Sequence, residues 1–210
     1  MYNILPIKSN NGLEQTSYLI YDNQAMILVD CGFEINDFFA LLKDNGLQSR
    51  TLNGVLLTHA HFDHIWALNE IADLYACPIY LHVGCTDYIY DSIKNASCYF
   101  CKFKLKKIDP SLIVEINDDD LINFGKMSFK VIFTPGHSNC SVCYMFYDSL
   151  FTGDTILNGT VGRCDLFGGC QGKLSSSLQK IKAKEFKIAY PGHGDPINST
   201  QAKAICSFYE

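Results

Sequence analysis

Four short polar clusters each follow an apolar run typical of a β-strand, and together they contain five of the six histidines in the chain. Because strand ends on a rigid scaffold can converge on one point, we expect the four clusters to meet. Residues two apart point the same way in an extended segment, so His59 and His61 can reach one ion. Asp63 continues that parity, and His64 begins the next helix. The clusters are THAHFDH at 58–64, TPGHS at 134–138, TGDT at 152–155 and YPGHG at 190–194.

The donor atoms in these clusters indicate what they can bind. Imidazole nitrogens and carboxylates suit zinc, iron and manganese, and five histidines with two aspartates exceed the needs of one tetrahedral ion. We therefore expect two divalent ions that share ligands, with zinc as the first choice and iron or manganese as alternatives. The sixth histidine, His82, lies outside the clusters and is interpreted as a core or surface residue.

Strand-like and helix-like segments recur in both halves of the chain. Helices are predicted at about 36–47, 65–75, 86–94, 174–183 and 199–208, whereas 97–109 fits no clear period. Strands followed by helices in both halves favour an α+β fold, a four-layer αββα sandwich of two mixed β-sheets flanked by helices. The predicted strands are 3–7, 16–21, 25–30, 54–58, 79–83, 113–116, 121–124, 128–133, 142–147, 150–151 and 187–190.

Length and composition limit the class of protein. A chain of 210 residues, 48% of them hydrophobic, can bury a substantial core, and we predict a single domain over residues 1–210. The formal net charge of −5 gives a phosphate backbone no reason to approach, so no nucleic-acid partner is expected. No stretch resembles a membrane span or a leader peptide, which predicts no membrane partner and a cytoplasmic location.

The ten cysteines are predicted to be reduced thiols, because reducing compartments maintain them and a chain of this size needs no disulfide framework. Cys98 with Cys101 and Cys140 with Cys143 have the C-x-x-C spacing that is also found in redox pairs and structural zinc sites. We favour buried thiols for both pairs. The KFKLKK run at 102–107 is favoured as a solvated face, with the binding of an anionic thiol carrier as the alternative.

The motif H-x-H-x-D-H at 59–64, followed in order by PGH, GDT and PGHG, resembles the metallo-β-lactamase superfamily over roughly residues 3–195. We expect Asp63 to orient the attacking hydroxide as well as to bind metal. Asp30, in Asp30-Cys31-Gly32, is interpreted as a structural support of the metal loop, and Cys31 as a small buried residue. The resemblance implies that His59, His61 and His137 would hold the first ion, Asp63, His64 and His193 the second, and that Asp154 would bridge the two.

The segment TVGRCDLFGG at 160–169 resembles the G-R-x-D-F segment of glyoxalase II-like hydrolases and of the related persulfide dioxygenases. Arg163 is the candidate substrate-binding residue, because its planar fork can pair with a carboxylate of glutathione; a brace to Asp165 is an equal alternative. Full-length glyoxalase II has a C-terminal helical domain that supplies much of its glutathione site. We expect no such domain here, so the chain resembles the short glyoxalase II-like proteins.

These observations predict a dinuclear metal-dependent hydrolase, most simply a glyoxalase II-type thioesterase acting on S-lactoylglutathione or a related small-molecule acyl thioester. A thioester fits because a thiol leaves readily as thiolate, whereas an amine must be protonated. The alternatives are a mononuclear iron persulfide dioxygenase and a non-catalytic binding protein that kept the fold. The oligomeric state is left open.

Overall fold

Two six-stranded β-sheets account for the strands in the described residues, 1–9, 12 and 14–209 of this computed structural model. In each sheet, strands that are consecutive in the chain are neighbours in space. The first sheet contains β1 (Asn3–Lys8), β2 (Thr16–Tyr21), β3 (Met26–Val29), β4 (Gly54–Leu56), β5 (Ile79–His82) and β6 (Ile113–Ile116). The second contains β7 (Leu121–Phe124), β8 (Met127–Phe133), β9 (Val142–Phe146), β10 (Ser149–Gly153), β11 (Ile188–Pro191) and β12 (Ile197–Asn198).

Both sheets are mixed, as predicted. In the first sheet, β1, β2 and β3 pair antiparallel, and β3 to β6 pair parallel. In the second sheet, β7 to β10 are antiparallel, β11 joins β10 in parallel, and β12 closes the edge antiparallel. Parallel pairs require crossover connections, and four of the five helices lie in such connections, whereas the last helix follows β12. The helices are α1 (Ile35–Asp44), α2 (Leu68–Tyr75), α3 (Ser97–Phe100), α4 (Gln171–Lys182) and α5 (Ser199–Tyr209).

Strand β3 explains how the layers form. Its sequence MILV is buried at every position, because a strand sends alternate side chains to opposite faces and both faces are covered. Met26 and Leu28 pack in the core beneath α1 and α2, whereas Ile27 and Val29 pack in the core between the sheets. A third core lies between the second sheet and the helices α4 and α5. The predicted αββα sandwich is therefore confirmed.

One predicted helix is wrong. The segment 86–94 contains only a short 3₁₀ turn at Tyr88–Tyr90, after another at Val83–Cys85. The carboxylate of Asp91 accepts hydrogen bonds from the backbone N–H groups of Ile93 and Lys94, at 2.9 and 3.2 Å. A side chain that binds nearby backbone groups in this way competes with helical hydrogen bonds, so the segment stays irregular. The unassigned stretch 97–109 begins with α3 and then continues without regular structure.

The cysteines depart from the prediction at one pair. Cys85 and Cys140 form a disulfide between residues 55 apart in the chain, with Cα atoms 5.7 Å apart. The C-x-x-C spacing of Cys140 and Cys143 is therefore not a functional pair, because Cys143 is a free thiol in a different core. Burial is as predicted for Cys31 and Cys143 but wrong for Cys98, which is exposed.

The described part of the chain has no helix that combines the length and the hydropathy needed to cross a bilayer.

Candidate metal centre

The four polar clusters leave four strands at one end of the sandwich. The first follows β4, the second follows β8, the third lies at the end of β10, and the fourth follows β11. All seven predicted ligands come together there. They form three overlapping groups in which the donor atoms lie within 4.8 Å of one another: His59, His61 and His137; His59, His64 and Asp154; and Asp63, His64 and His193.

The first group is a triangle of imidazole nitrogens. His61 Nδ1 lies 3.0 Å from His59 Nε2 and 2.8 Å from His137 Nε2, and the two Nε2 atoms lie 3.2 Å apart. All three rings are buried. Burial lowers the pKa of His137, lowers that of His61 to about 3, and lowers that of His59 well below its ordinary value. The three rings are therefore neutral near pH 7, and neutral imidazole is the form that binds metal.

Outer hydrogen bonds determine which nitrogen carries a proton in His137 and in His59. His137 Nδ1 donates to the carbonyl oxygen of Arg163 at 2.8 Å. Thr58 Oγ1 donates to Asp30 Oδ2 at 2.8 Å, so it accepts from His59 Nδ1 at 3.1 Å. The Nε2 atoms of His137 and His59 therefore present lone pairs to the centre. Partners of this kind fix the orientation and the tautomer of metal-binding histidines.

Asp63, His64 and His193 form the second donor group, which combines two histidines with a carboxylate. Asp63 Oδ2 lies 3.2 Å from His193 Nε2 and 3.9 Å from His64 Nε2. His193 Nδ1 donates to the carbonyl oxygen of Glu14 at 3.1 Å, and His64 Nδ1 donates to Asp30 Oδ2 at 2.8 Å. Both Nε2 atoms therefore face the carboxylate, so this group offers two nitrogens and an oxygen to one ion.

Asp154 lies between the two groups and faces each of them. Its Oδ1 is 3.2 Å from His64 Nε2, and its Oδ2 is 3.5 Å from His137 Nε2 and 3.6 Å from His193 Nε2. Burial opposes ionisation of this carboxyl, but His193, His64 and His137 together hold its pKa well below the ordinary value. A carboxylate whose oxygens lie close to nitrogens of both groups can bridge two cations.

Unpartnered buried atoms test whether a cation fits here. Among the described residues, His64 Nε2 and Asp154 Oδ1 are buried and lie 3.2 Å apart, yet neither makes a hydrogen bond to the other or to a third group, an arrangement that is unfavourable without a further partner. Burial opposes protonation of His64, but the carboxylates of Asp30, Asp154 and Asp63 raise its pKa well above the ordinary value. The cluster therefore attracts positive charge, which a divalent ion supplies, and the residues fit a His/Asp metal site.

Two glycines allow the backbone to approach the cluster closely. A Cβ atom on Gly192 would lie 2.5 Å from both Asp154 Oδ1 and His64 Cε1. A Cβ atom on Gly162 would lie 2.1 Å from the carbonyl oxygen of Asp154 and 2.7 Å from His137 Nδ1. All four distances are shorter than the contacts that Cβ atoms make in proteins, so the donor geometry requires glycine at these positions.

Asp30 lies behind the cluster rather than in it. Its buried carboxylate accepts hydrogen bonds from Thr58 N, Thr58 Oγ1 and His64 Nδ1, each at 2.8 Å. Its backbone has a φ of 58°, a left-handed conformation that is uncommon outside glycine. Sequence reasoning did not assign a role to Thr58, Glu14 or Gly192. Thr58 lies inside the first motif and Gly192 inside the fourth, so both had a recognisable signal, whereas Glu14 had none.

A cavity of about 450 Å³ opens above the cluster. Arg163 lies at this cavity, but its Nε and Nη2 atoms donate to the two oxygens of Asp165, each at 2.6 Å. The carboxylate that pairs with Arg163 is therefore that of Asp165, which was one of the two alternatives predicted from the sequence. Five donor residues form the polar floor of the cavity: His61, Asp63, His137, Asp154 and His193.

An αββα sandwich with a converging His/Asp cluster at its strand ends defines a class of metal-binding proteins that are generally hydrolases. The sequence matches the family model of the metallo-beta-lactamase superfamily over residues 10–193. The chain belongs to that superfamily.

Relatives and solved structures agree with this assignment. The chain is 34% identical over 193 residues to a protein described as probable metallo-hydrolase YqgX from Bacillus subtilis (strain 168), covering 90% of this chain and 86% of the relative. It is 31% identical to a hydroxyacylglutathione hydrolase from Francisella tularensis subsp. novicida, covering 88% of this chain and 64% of that enzyme. The crystal structure of the BLEG-1 B3 metallo-beta-lactamase superposes with a TM-score of 0.87 at 28% identity, covering 99% of both chains.

Proposed function

We propose that this protein is a dinuclear metal-dependent hydrolase that cleaves small-molecule thioesters. The observation that carries the proposal is the complete pair of donor groups with Asp154 between them. In this proposal, Asp154 would bridge the two ions. His59, His61 and His137 would hold the first ion, and Asp63, His64 and His193 would hold the second.

The identity of the metal follows from the donors. Imidazole nitrogens and carboxylate oxygens suit zinc first, with iron and manganese as alternatives. When bound, two such ions supply Lewis acidity and lower the pKa of water toward neutrality. The donor set is also more than a non-catalytic protein needs, because a protein that had only kept the fold would be expected to have lost a ligand.

Asp63 is proposed to orient the attacking water. Its side chain is 17% exposed, so one carboxylate oxygen can face the cavity while Oδ2 faces His193 and His64. Burial opposes ionisation of Asp63, but His64 and His193 hold its pKa below the ordinary value. Asp63 is therefore a carboxylate near pH 7, and it can accept a hydrogen bond from water and align its oxygen with a carbonyl carbon.

The lining of the cavity supports a thioester over an amide. Apart from the donor cluster, the described lining residues are glycines, apolar residues and Arg163, and none of them is an acid that could protonate a leaving amine. A thiol with a pKa of about 8.5 needs no such acid, because it leaves as thiolate. In the reaction, the water oxygen adds to the carbonyl carbon, the C–S bond breaks with its electron pair on sulfur, and a carboxylate and a thiol result.

The test is thiol release from S-D-lactoylglutathione by the metal-loaded protein, with His59→Ala as the control that removes a ligand. Rapid release that is lost in the control supports the proposal. Release that is equal in both proteins assigns the activity elsewhere. Oxygen consumption with glutathione persulfide, in the absence of thioester cleavage, would instead identify the mononuclear iron dioxygenase, which is the alternative prediction from the sequence.

A further inference from the structure

Five of the residues that line the cavity above the donor cluster are apolar. We define these five carbon-rich residues as the apolar wall: Phe62, Ala96, Phe100, Leu157 and Leu166. They come from three separate segments, namely the turn after the first histidines, the short helix α3 with the residue before it, and the loop at 157–166. The polar donors lie at the floor, so a molecule in the cavity can contact polar donors at one end and apolar side chains elsewhere.

The two aromatic residues of the apolar wall differ in exposure: Phe62 is packed against other rings, whereas Phe100 is open to solvent. The rings of Phe62 and Phe100 stack with centroids 5.7 Å apart. Trp66 contacts Phe62 at 6.5 Å and stacks on Phe103 at 5.4 Å. Phe62 is only 5% exposed, whereas Phe100 is 56% exposed. A phenylalanine that is open to solvent at the rim of a reactive cavity gains favourable burial when an apolar group covers it.

The charges at the cavity do not match a doubly anionic carrier. Apart from the donor cluster, Arg163 is the one ionisable side chain among the described lining residues, and it is already paired twice with Asp165. The exposed lysines Lys102, Lys104 and Lys106 line a different cavity, together with Trp66 and Phe103. Binding either carboxylate of glutathione at Arg163 would therefore require replacing a bidentate ion pair.

We infer that the apolar wall binds the acyl group of the substrate, and that the preferred substrates are thioesters of medium-chain or aromatic acyl groups rather than of the hydroxylated lactoyl group. This inference rests on the proposed thioesterase function and specifies its substrate class. With the carbonyl over the donor floor, the acyl group extends along Phe62 and Phe100, and the carrier lies toward the cavity mouth. Phe100 is the main specificity-determining residue.

Kinetics with a graded series of substrates test the inference. Acetyl-, lactoyl-, hexanoyl- and benzoyl-N-acetylcysteamine share a neutral carrier and differ only in the acyl group. We expect kcat/KM for hexanoyl to exceed that for acetyl by about tenfold or more, since each buried methylene contributes a few-fold. Phe100→Ala should remove most of this preference, because it should lower kcat/KM far more for hexanoyl than for acetyl.

Tyr99→Ala is the matched control. Tyr99 lies in the same short helix and is 58% exposed, close to the exposure of Phe100, but it does not line the cavity. It should therefore leave the acyl preference unchanged. Because Phe100 is itself exposed, its truncation leaves the core intact, so a loss of preference reports on the substrate rather than on folding.

Binding measured without turnover separates the two ideas. Trp66 is the one tryptophan of the chain and lies directly behind Phe62. S-hexyl-N-acetylcysteamine, a thioether that is not hydrolysed, should change Trp66 fluorescence at a concentration at least about tenfold lower than the S-methyl compound. Phe100→Ala should abolish this difference.

Each combination of results has a single meaning. Thioester cleavage with no dependence on acyl length, or with lactoyl favoured over hexanoyl on the same carrier, overturns the apolar-wall inference and leaves the thioesterase proposal standing. Tighter binding of the hexyl thioether without cleavage of any thioester keeps the apolar wall as a binding site but refutes the proposed function. Equal binding of the two thioethers refutes the inference whatever the activity is.

Discussion

His64 Nδ1 donates a hydrogen bond of 2.8 Å to Asp30 Oδ2, and both side chains are buried. The same oxygen also accepts a hydrogen bond from Thr58 Oγ1, which in turn accepts one from His59 Nδ1. Through this chain one carboxylate orients a histidine in each of the two donor groups. Asp30 therefore connects the loop geometry to metal affinity without being placed to bind metal.

Replacing Asp30 by asparagine should weaken both donor groups. The amide has one oxygen for three donors, so at least one of the hydrogen bonds from Thr58 and His64 is lost. We expect metal affinity to fall about 10- to 100-fold and the free energy of unfolding to fall by about 3 kcal/mol. Metal titration and urea denaturation measure the two effects. Asp44→Asn, at an exposed position, is the control, and equal affinity in both variants would contradict the role given to Asp30.

Removing single donors should change metal stoichiometry in a graded way. We expect His193→Ala to retain one ion per chain and Asp154→Ala to lose tight binding of both, because Asp154 faces both groups. Turnover should fall more than about 100-fold in either variant, which is beyond the effect of removing an outer partner. Metal analysis of the purified variants gives the stoichiometry. His82, which stacks on Phe133, provides the control as His82→Ala, and two ions in Asp154→Ala would refute the bridge.

Removal of metal should destabilise the folded protein. Seven donor residues converge in the cluster. A ligand that binds only the folded state increases the free energy of unfolding in proportion to the logarithm of its concentration divided by Kd. At a free zinc concentration of 1,000 times Kd, the gain is about 4 kcal/mol. Thermal unfolding before and after chelation, followed by zinc addition, measures it. An unchanged melting temperature would show that the cluster does not bind zinc tightly.

Gly192→Ala should damage the centre although no donor is removed. The new methyl group would lie 2.5 Å from Asp154 Oδ1 and from His64 Cε1, so one of these side chains must move. Since active-site geometry is sensitive to shifts of about 1 Å, we expect at least about a 100-fold loss of kcat/KM. Gly172→Ala, in helix α4 with open space around its position, should instead stabilise the protein by up to about 1 kcal/mol. Similar kinetics for the two variants would contradict the required close approach.

Breaking the link between Cys85 and Cys140 should lower stability. A disulfide that closes a loop of 55 residues restricts the unfolded chain, and the chain-entropy relation gives about 4 kcal/mol for this length. Urea unfolding of Cys85→Ser with Cys140→Ser, compared with Cys98→Ser at an exposed free thiol, measures the difference. If the double variant matched Cys98→Ser, the disulfide would have no role in the folded protein.

The convergence of the donor residues could be predicted from the sequence, because residue type and position at strand ends are local features. His59 and His61 point to the same side of an extended segment, because they are two residues apart. The remaining donors follow strands whose ends can be recognised in the sequence. The layered fold could be predicted for the same reason, since strands buried on both faces, such as β3, have an unbroken apolar run.

Features that depend on tertiary packing could not be predicted in this way. Cys85 and Cys140 are brought together by the packing of two sheets, and nothing within 55 residues of intervening sequence indicates it. The helix expected at 86–94 competes with hydrogen bonds from a single carboxylate, that of Asp91, which periodicity does not measure. The pairing of Arg163 with Asp165 was one of two equal readings, and only the orientation of both side chains decides between them.

The division of the donors between the two sheets has a mechanical consequence. The loop after β4 in the first sheet supplies two of the first three donors and two of the second three. The remaining donor of each group, His137 or His193, comes from the second sheet. Neither half of the chain could therefore hold either ion alone. A bound ion would cross-link the two sheets, so we expect two separately expressed halves to reassemble far better with metal than without it.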